Sequence, residues 1–253
     1  MALTRWIFVL LFALCAGALS AQSTFTVTST ADTTASGTLR WAITQANAST
    51  STYDTIDFGI TGTITLNSAL PTITDDVLID GPGRSALTII RNSGGADFRI
   101  FETSVNATTL NINELTISGG RASQGAGIFS RGPTSLYDVH VTDCIANGTA
   151  GGGNAEGGAI YHSPIAAALL LTNSLVDNCQ ANGGDNSGGN GGSAYGGGIY
   201  INAGTLGLLS TTIDNCDATG GDSTGGNGDG GRAYGGGIYS KFAATFTDSV
   251  ISN

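Results

Sequence analysis

The chain has 253 residues, and 40 of them are glycine, about 16% against a usual share near 7%. Asp and Glu number 19 against 9 Lys and Arg, for a net charge of −10, which argues against a nucleic-acid partner because such proteins carry a basic footprint. A hydrophobic share of 40% without a strict Gly-X-Y period excludes both a disordered chain and a collagen.

Taken in chain order, residues 1–21 read as a secretory signal peptide. Arg5 supplies the positive start, Trp6 to Ala16 the apolar run, and Gly17 to Ala21 the small-residue cleavage zone. The run is shorter than the roughly 20 residues a membrane helix needs, and the mature chain has no other of that length. Cleavage near Ala21 would remove Cys15 and release an exported body. Next, Leu39, Ala42, Ile43 and Ala46 recur at helical spacing with one apolar face, which predicts a short helix over Thr38 to Asn47. Strand-like runs follow at Thr63 to Leu66, Val77 to Ile79, Leu87 to Ile90, Phe98 to Phe101 and Leu110 to Ile117.

From there the chain repeats itself. Gly157-Gly158-Ala159-Ile160-Tyr161 recurs as Gly196 to Tyr200 and Gly235 to Tyr239, with a weaker copy at Gly125 to Phe129. After each comes a second run, Ser135 to Cys144, Leu169 to Cys179 and Leu206 to Cys216, and a last copy, Phe246 to Asn253, stops short of its cysteine. The chain reads as cut in mid-repeat, a fragment of a longer protein. Alternation changes parity near Ser174 and Ser210, which predicts a bend there. Short strands with nothing helical between them do not suit βαβ units. They suit a coil that winds once per repeat and pairs in parallel with the coils above and below. A single repeat cannot bury its apolar face, so like residues must stack. The predicted columns are Ile128/Ile160/Ile199/Ile238, Leu136/Leu171/Leu208/Phe246 and Val141/Val176/Ile213/Ile251. The expected fold is all-β: a right-handed parallel β-helix of roughly seven coils with a short N-terminal capping helix. Residues 22–60 would form the cap and first strands, and 61–253 the coils with Gly-rich loops.

Three N-terminal stretches, Phe25 to Asp32, Gly37 to Ile43 and Ile73 to Gly81, resemble the CSLREA-type region that heads many bacterial parallel β-helix surface proteins, with Gly37 where that family carries its cysteine. The later repeats are similar to those of the chlamydial-type polymorphic outer membrane proteins, marked by Gly-Gly-Ala-Ile and Phe-x-x-Asn. Gly157 to Ile160 matches the first motif. In the second, Val141 to Cys144, Val176 to Cys179 and Ile213 to Cys216 put an aliphatic for Phe and Cys for Asn. The resemblance implies the pectate-lyase-like superfold, a bacterial outer-membrane or extracellular location, and an adhesin-like role.

Several positions could carry function. Cys144, Cys179 and Cys216 share one column and read as a ladder of buried thiols, with a single strained disulfide as the second reading. Asn178 and Asn215 stand in the neighbouring column, where stacked amides bond from coil to coil. Tyr161, Tyr200 and Tyr239 read as axial stacking; pointing outward, they would suit sugar faces. The stretches Gly183 to Gly197 and Gly220 to Gly236 should project on one flank as flexible loops. Their Asp185, Asp222 and Asp229 are the candidates for Ca²⁺, the one cofactor in view. A lyase of the superfold would need clustered Asp ligands with a basic side chain, and Asp177 and Asp214 with Arg232 or Lys241 are the residues available. His140 and His162 lack a triad context and are expected at the surface or in turns.

The functional expectation is a secreted or cell-surface module, adhesin-like or a rigid stalk, whose partner is a carbohydrate or a host or cell-surface protein. The alternatives are a polysaccharide lyase or glycoside hydrolase, and a purely structural repeat segment. No catalytic residue is assigned.

Overall fold

A computed structural model describes residues 22–104, 108–164, 166–226 and 228–252. The signal-peptide reading falls on residues 1–21, outside the described residues. Among the described residues twenty-seven strands and one helix are laid down in sequence order, and every pairing between named strands is parallel, as in a parallel β-helix.

One winding illustrates the path. Thr134–Tyr137 belongs to an eight-stranded first sheet, His140–Thr142 to a seven-stranded second, and Ile145–Asn147 to a four-stranded ribbon. The chain then crosses Ala155–Glu156, in a three-stranded ribbon, and Ile160–His162, in a five-stranded third sheet, before re-entering the first sheet at Ala168–Thr172. Eight strands in the first sheet, about 4.8 Å apart, make a stack about 34 Å long, one coil more than the repeats predict.

The corners are made by residues forced into left-handed backbone. Between first and second sheets stand Glu114, Asp138, Asn173, Ser210 and Asp248, all with φ between 48° and 54°. Between the second sheet and the ribbon stand Asp143, Asn178 and Asn215, at φ 56°, 50° and 46°. Asn and Asp tolerate this conformation best among residues with side chains, which explains their recurrence there. A single left-handed residue reverses which face the following side chains occupy, and the parity change near Ser174 and Ser210 is its trace.

The register places Ile128, Ile160, Ile199 and Ile238 on successive rungs. Leu136, Leu171, Leu208 and Phe246 do the same, as do Val141, Val176, Ile213 and Ile251. One apolar core results, running from Leu39 and Ile43 of the helix through Ile79, Leu136 and Val176 to Ile213. Each added coil buries its own column against the one before, with roughly 1.5–3 kcal/mol for each Ile, Leu or Val fully withdrawn from water.

The helix is Leu39–Ala48, with Thr38 as N-cap accepting from Trp41 N–H at 3.3 Å. Its buried stripe is Leu39, Ala42, Ile43 and Ala46, and Trp41 meets Phe25 of the first strand edge-on at 6.1 Å. Arg40 fastens it to the coil beyond by pairing with Asp32 at 2.7 Å and donating to the Ser68 and Ala69 carbonyls. Gly37 has φ +82°, and a Cβ there would meet Thr28 Oγ1, so a cysteine at that position would be strained on this backbone. Among the described residues no helix is long and apolar enough to cross a membrane.

The Gly-rich stretches do not project as flexible loops. They lie on one another in layers, joined by backbone hydrogen bonds from Gly184 N to Gly153 O, Gly192 N to Gly184 O, Gly221 N to Gly192 O and Gly231 N to Gly221 O, all 2.7–2.9 Å. At Gly192 a Cβ would collide with the Gly153 carbonyl, and at Gly231 with the Gly192 carbonyl. Glycine is required because backbone packs directly on backbone. Inside this corner a small alanine core, Ala146, Ala155, Ala181 and Ala194, joins the two ribbons.

Candidate functional site

On the third sheet alternate residues point away from the core. Ile128, Ile160 and Ile199 face inward, so their successors Phe129, Tyr161 and Tyr200 face outward and form a separate cluster with Tyr239. The rings lie along the rod: Phe129 stacks on Tyr161 at 4.7 Å and 9°, Tyr161 meets Tyr200 at 5.3 Å, and Tyr200 stacks on Tyr239 at 5.6 Å and 18°. A second column, Tyr195 on Tyr234 at 4.9 Å and 3°, leans against the first from the three-stranded ribbon. Its earlier rungs are Glu156 and, by a single bridge, Gln124, whose amide donates to Glu156 Oε2.

Because rings cover rings, Phe129, Tyr161 and Tyr200 are only 5%, 7% and 1% exposed. A sugar cannot lie on their faces; what remains at the surface is the rim of the columns. Burial pushes the Tyr161 and Tyr200 phenols above their ordinary range. The Tyr200 hydroxyl donates to Asn202 Oδ1 at 3.2 Å.

Cations gather at this rim. The Arg99 and Arg131 guanidiniums stand 4.5 and 4.3 Å from the Phe129 ring centre, and both pair with Glu102, at 3.2 and 3.1 Å. Lys241 lies 5.2 Å from the Tyr200 ring centre and donates to Asn202 Oδ1 at 2.7 Å. Arg232 reaches the Tyr234 hydroxyl at 3.5 Å. Arg121 lines a groove with Arg99 beside the start of the column. Of the eight Lys and Arg among the described residues, these are five. The others serve the fold: Arg40 pairs with Asp32, Arg84 with Asp138, and Arg91 is buried against the Gly119 and Asn92 carbonyls.

The remaining candidate positions are arranged differently. Asp177 and Asp214 are adjacent rungs of the second sheet. Asp177 is 2.8 Å from His140 Nε2, and Asp214 accepts from Ser252 Oγ at 2.7 Å. Arg232 and Lys241 are engaged at the aromatic columns instead, so the side chains a lyase would combine are not brought together. Asp185 Oδ1 accepts from Asp222 N–H at 2.8 Å, whereas Asp229 N–H donates to Asn190 Oδ1; the three carboxylates hold separate rungs rather than converging. Among the described residues no group of three His, Cys, Asp or Glu could hold a metal ion.

Cys144, Cys179 and Cys216 are free and fully buried. Each thiol points to the carbonyl two residues before it, Thr142, Asp177 and Asp214 respectively, and burial pushes the Cys179 thiol up. Asn215 Nδ2 donates to Asn178 Oδ1 across one rung.

His162 departs from its expected surface position. It is 0% exposed on the inward column Ser130/His162/Ile201/Ser240, and burial lowers its pKa to about 4. The signal was in the repeat: Ile201 occupies the same rung one coil later. The cationic rim was missed because its members are scattered over more than a hundred residues.

Compared with known protein families, with characterised proteins and with solved structures, the chain has no match.

Proposed function

We propose that this chain is an exported binding module of the adhesin-like kind, displayed at a bacterial surface or released outside it, and that it engages a carbohydrate or cell-surface partner through the aromatic and cationic flank of its third sheet. One observation carries the reading. In a chain of net charge −10, four of the eight Lys and Arg among the described residues collect around two stacked aromatic columns, and Arg121 lines an adjoining groove with Arg99. Such a flank focuses anionic or hydrogen-bonding ligands locally while the rest of the rod repels them. Rigidity comes from the continuous parallel register, so the partner meets preformed geometry and little ordering entropy is lost on binding.

The lyase or hydrolase reading has less support, since Asp177 and Asp214 are neighbours whose nearby basic group is His140, bound to Asp177, while Arg232 and Lys241 are engaged at the aromatic columns. A purely structural role leaves the gathered cations without a purpose. The test is retention of the purified protein on immobilised acidic and neutral polysaccharides and on intact cells, with a parallel incubation on polygalacturonate with calcium. Retention that salt weakens supports the proposal. Unsaturated product without retention replaces it with catalysis, and neither result on any surface leaves the structural reading.

A further inference from the structure

The groove at the start of the aromatic column, about 420 Å³, lies where Asp97 to Glu102 of one coil face Arg121 to Ser123 and Asn147 to Thr149 of the following ones. Arg99 and Arg121 line it, and Arg91 and Arg131 reach its two carboxylates. Arg91 pairs with Asp97 at 3.7 Å, while Arg99 and Arg131 share Glu102. Two carboxylates thus answer four arginines. Glu156 is held by Gln124 in the adjacent column. Arg121 lines the groove with its guanidinium paired to no described residue. Its backbone is fixed between strands, Arg121 N–H donating to Phe98 O at 2.9 Å and its Cα opposite Ile145.

The neutral wall is equally specific. Neither Ser123 Oγ nor Thr149 Oγ1 hydrogen-bonds another described side chain or carbonyl, and Asn147, whose Oδ1 accepts from Asn182 Nδ2, gives its amide N–H groups to no described acceptor. Hydroxyl and amide groups beside an unmatched guanidinium suit a ligand that carries hydroxyls as well as negative charge. The volume lies within the range of small-molecule sites and exceeds what an inorganic anion would fill. Burial also lowers the pKa of Arg99, a sign that its charge is incompletely solvated beside the groove.

We infer that this groove binds a uronic-acid unit of an acidic saccharide, with the sugar carboxylate held by Arg121 in a bidentate contact and its hydroxyls by Ser123, Asn147 and Thr149. Guanidinium and carboxylate match in plane and spacing, and the vicinal hydroxyls of a pyranose span the polar wall. The inference rests on the binding-module reading and names its ligand class.

The test is titration calorimetry of the purified protein with trigalacturonate, with neutral galactotriose and inorganic sulfate as comparison probes. Binding should be tighter for trigalacturonate than for either by about tenfold or more, and R121Q should weaken it by a similar factor. R121K, which keeps the charge and loses the fork, should fall between the two, and R84Q on another face should bind like the parent. Circular dichroism of each variant separates lost binding from lost folding, and S123A gives a second, milder loss should R121Q fail to fold. Equal affinity for sulfate and trigalacturonate, or an R121Q protein that folds and binds unchanged, overturns the groove assignment. If those variants still adhere to cells, the binding-module reading stands without this site; if no surface retains the parent protein, that reading fails with it.

Discussion

His162 Nδ1 lies 3.1 Å from Ser130 Oγ, the residue directly beneath it in the inward column Ser130/His162/Ile201/Ser240. Ser130 Oγ in turn meets Thr134 Oγ1 at 2.6 Å. A single imidazole is thereby satisfied inside the rod in its neutral form.

Acid should therefore weaken the fold through this residue. The unfolded chain takes up the histidine proton near pH 6.5, while the native ring, its pKa lowered by burial, does so only near 4. The contribution is whole above about pH 6.5 and is lost as pH falls from there to about 4, by up to about 3 kcal/mol. Urea denaturation at pH 7 and pH 5 should show the drop, and H162I, which copies Ile201 of the next coil, should flatten it. An unchanged pH profile in that variant refutes the assignment.

Gly192→Ala should destabilise the protein by about 3 kcal/mol or more, because its Cβ enters the Gly153 carbonyl and backbone must separate across a whole loop layer. Gly188→Ala is the control: its Cβ would meet only Asn186 Oδ1, at 4.0 Å, so the change should stay within about 0.5 kcal/mol. Thermal melts of the two variants decide between layered and free loops.

The aromatic columns should behave as core. Tyr200→Ala removes the most buried ring of the outward column and should cost about 3–5 kcal/mol, whereas Tyr200→Phe loses only the Asn202 hydrogen bond and should cost about 1 kcal/mol. Similar small losses for both would mean that the rings are exposed in solution.

The three buried cysteines should resist thiol reagents in the native protein and react together on unfolding, since burial denies the reagent access. Ellman titration with and without denaturant measures this. Rapid native labelling of Cys179 would contradict its burial.

Much of this molecule is legible without coordinates. The stacking of Ile160, Ile199 and Ile238, the bends near Ser174 and Ser210 and the apolar stripe of the helix are periodicities written into adjacent residues. Any chain that must bury Ile and Leu at period two, with Asn, Asp or Gly where the backbone turns left-handed, shows them in one dimension. What only the tertiary structure decided depends on which coil lies over which. Winding brings Arg99 and Arg121 to one groove, sets Arg131 beside Arg99 on Glu102, and keeps Arg232 and Lys241 from Asp177 and Asp214. It presses glycine loops into layers where composition suggested freedom, and it turns His162 inward. Such outcomes rest on register and loop length summed over whole turns, and the forces involved, steric contact and charge proximity, act through space between residues that the sequence holds far apart.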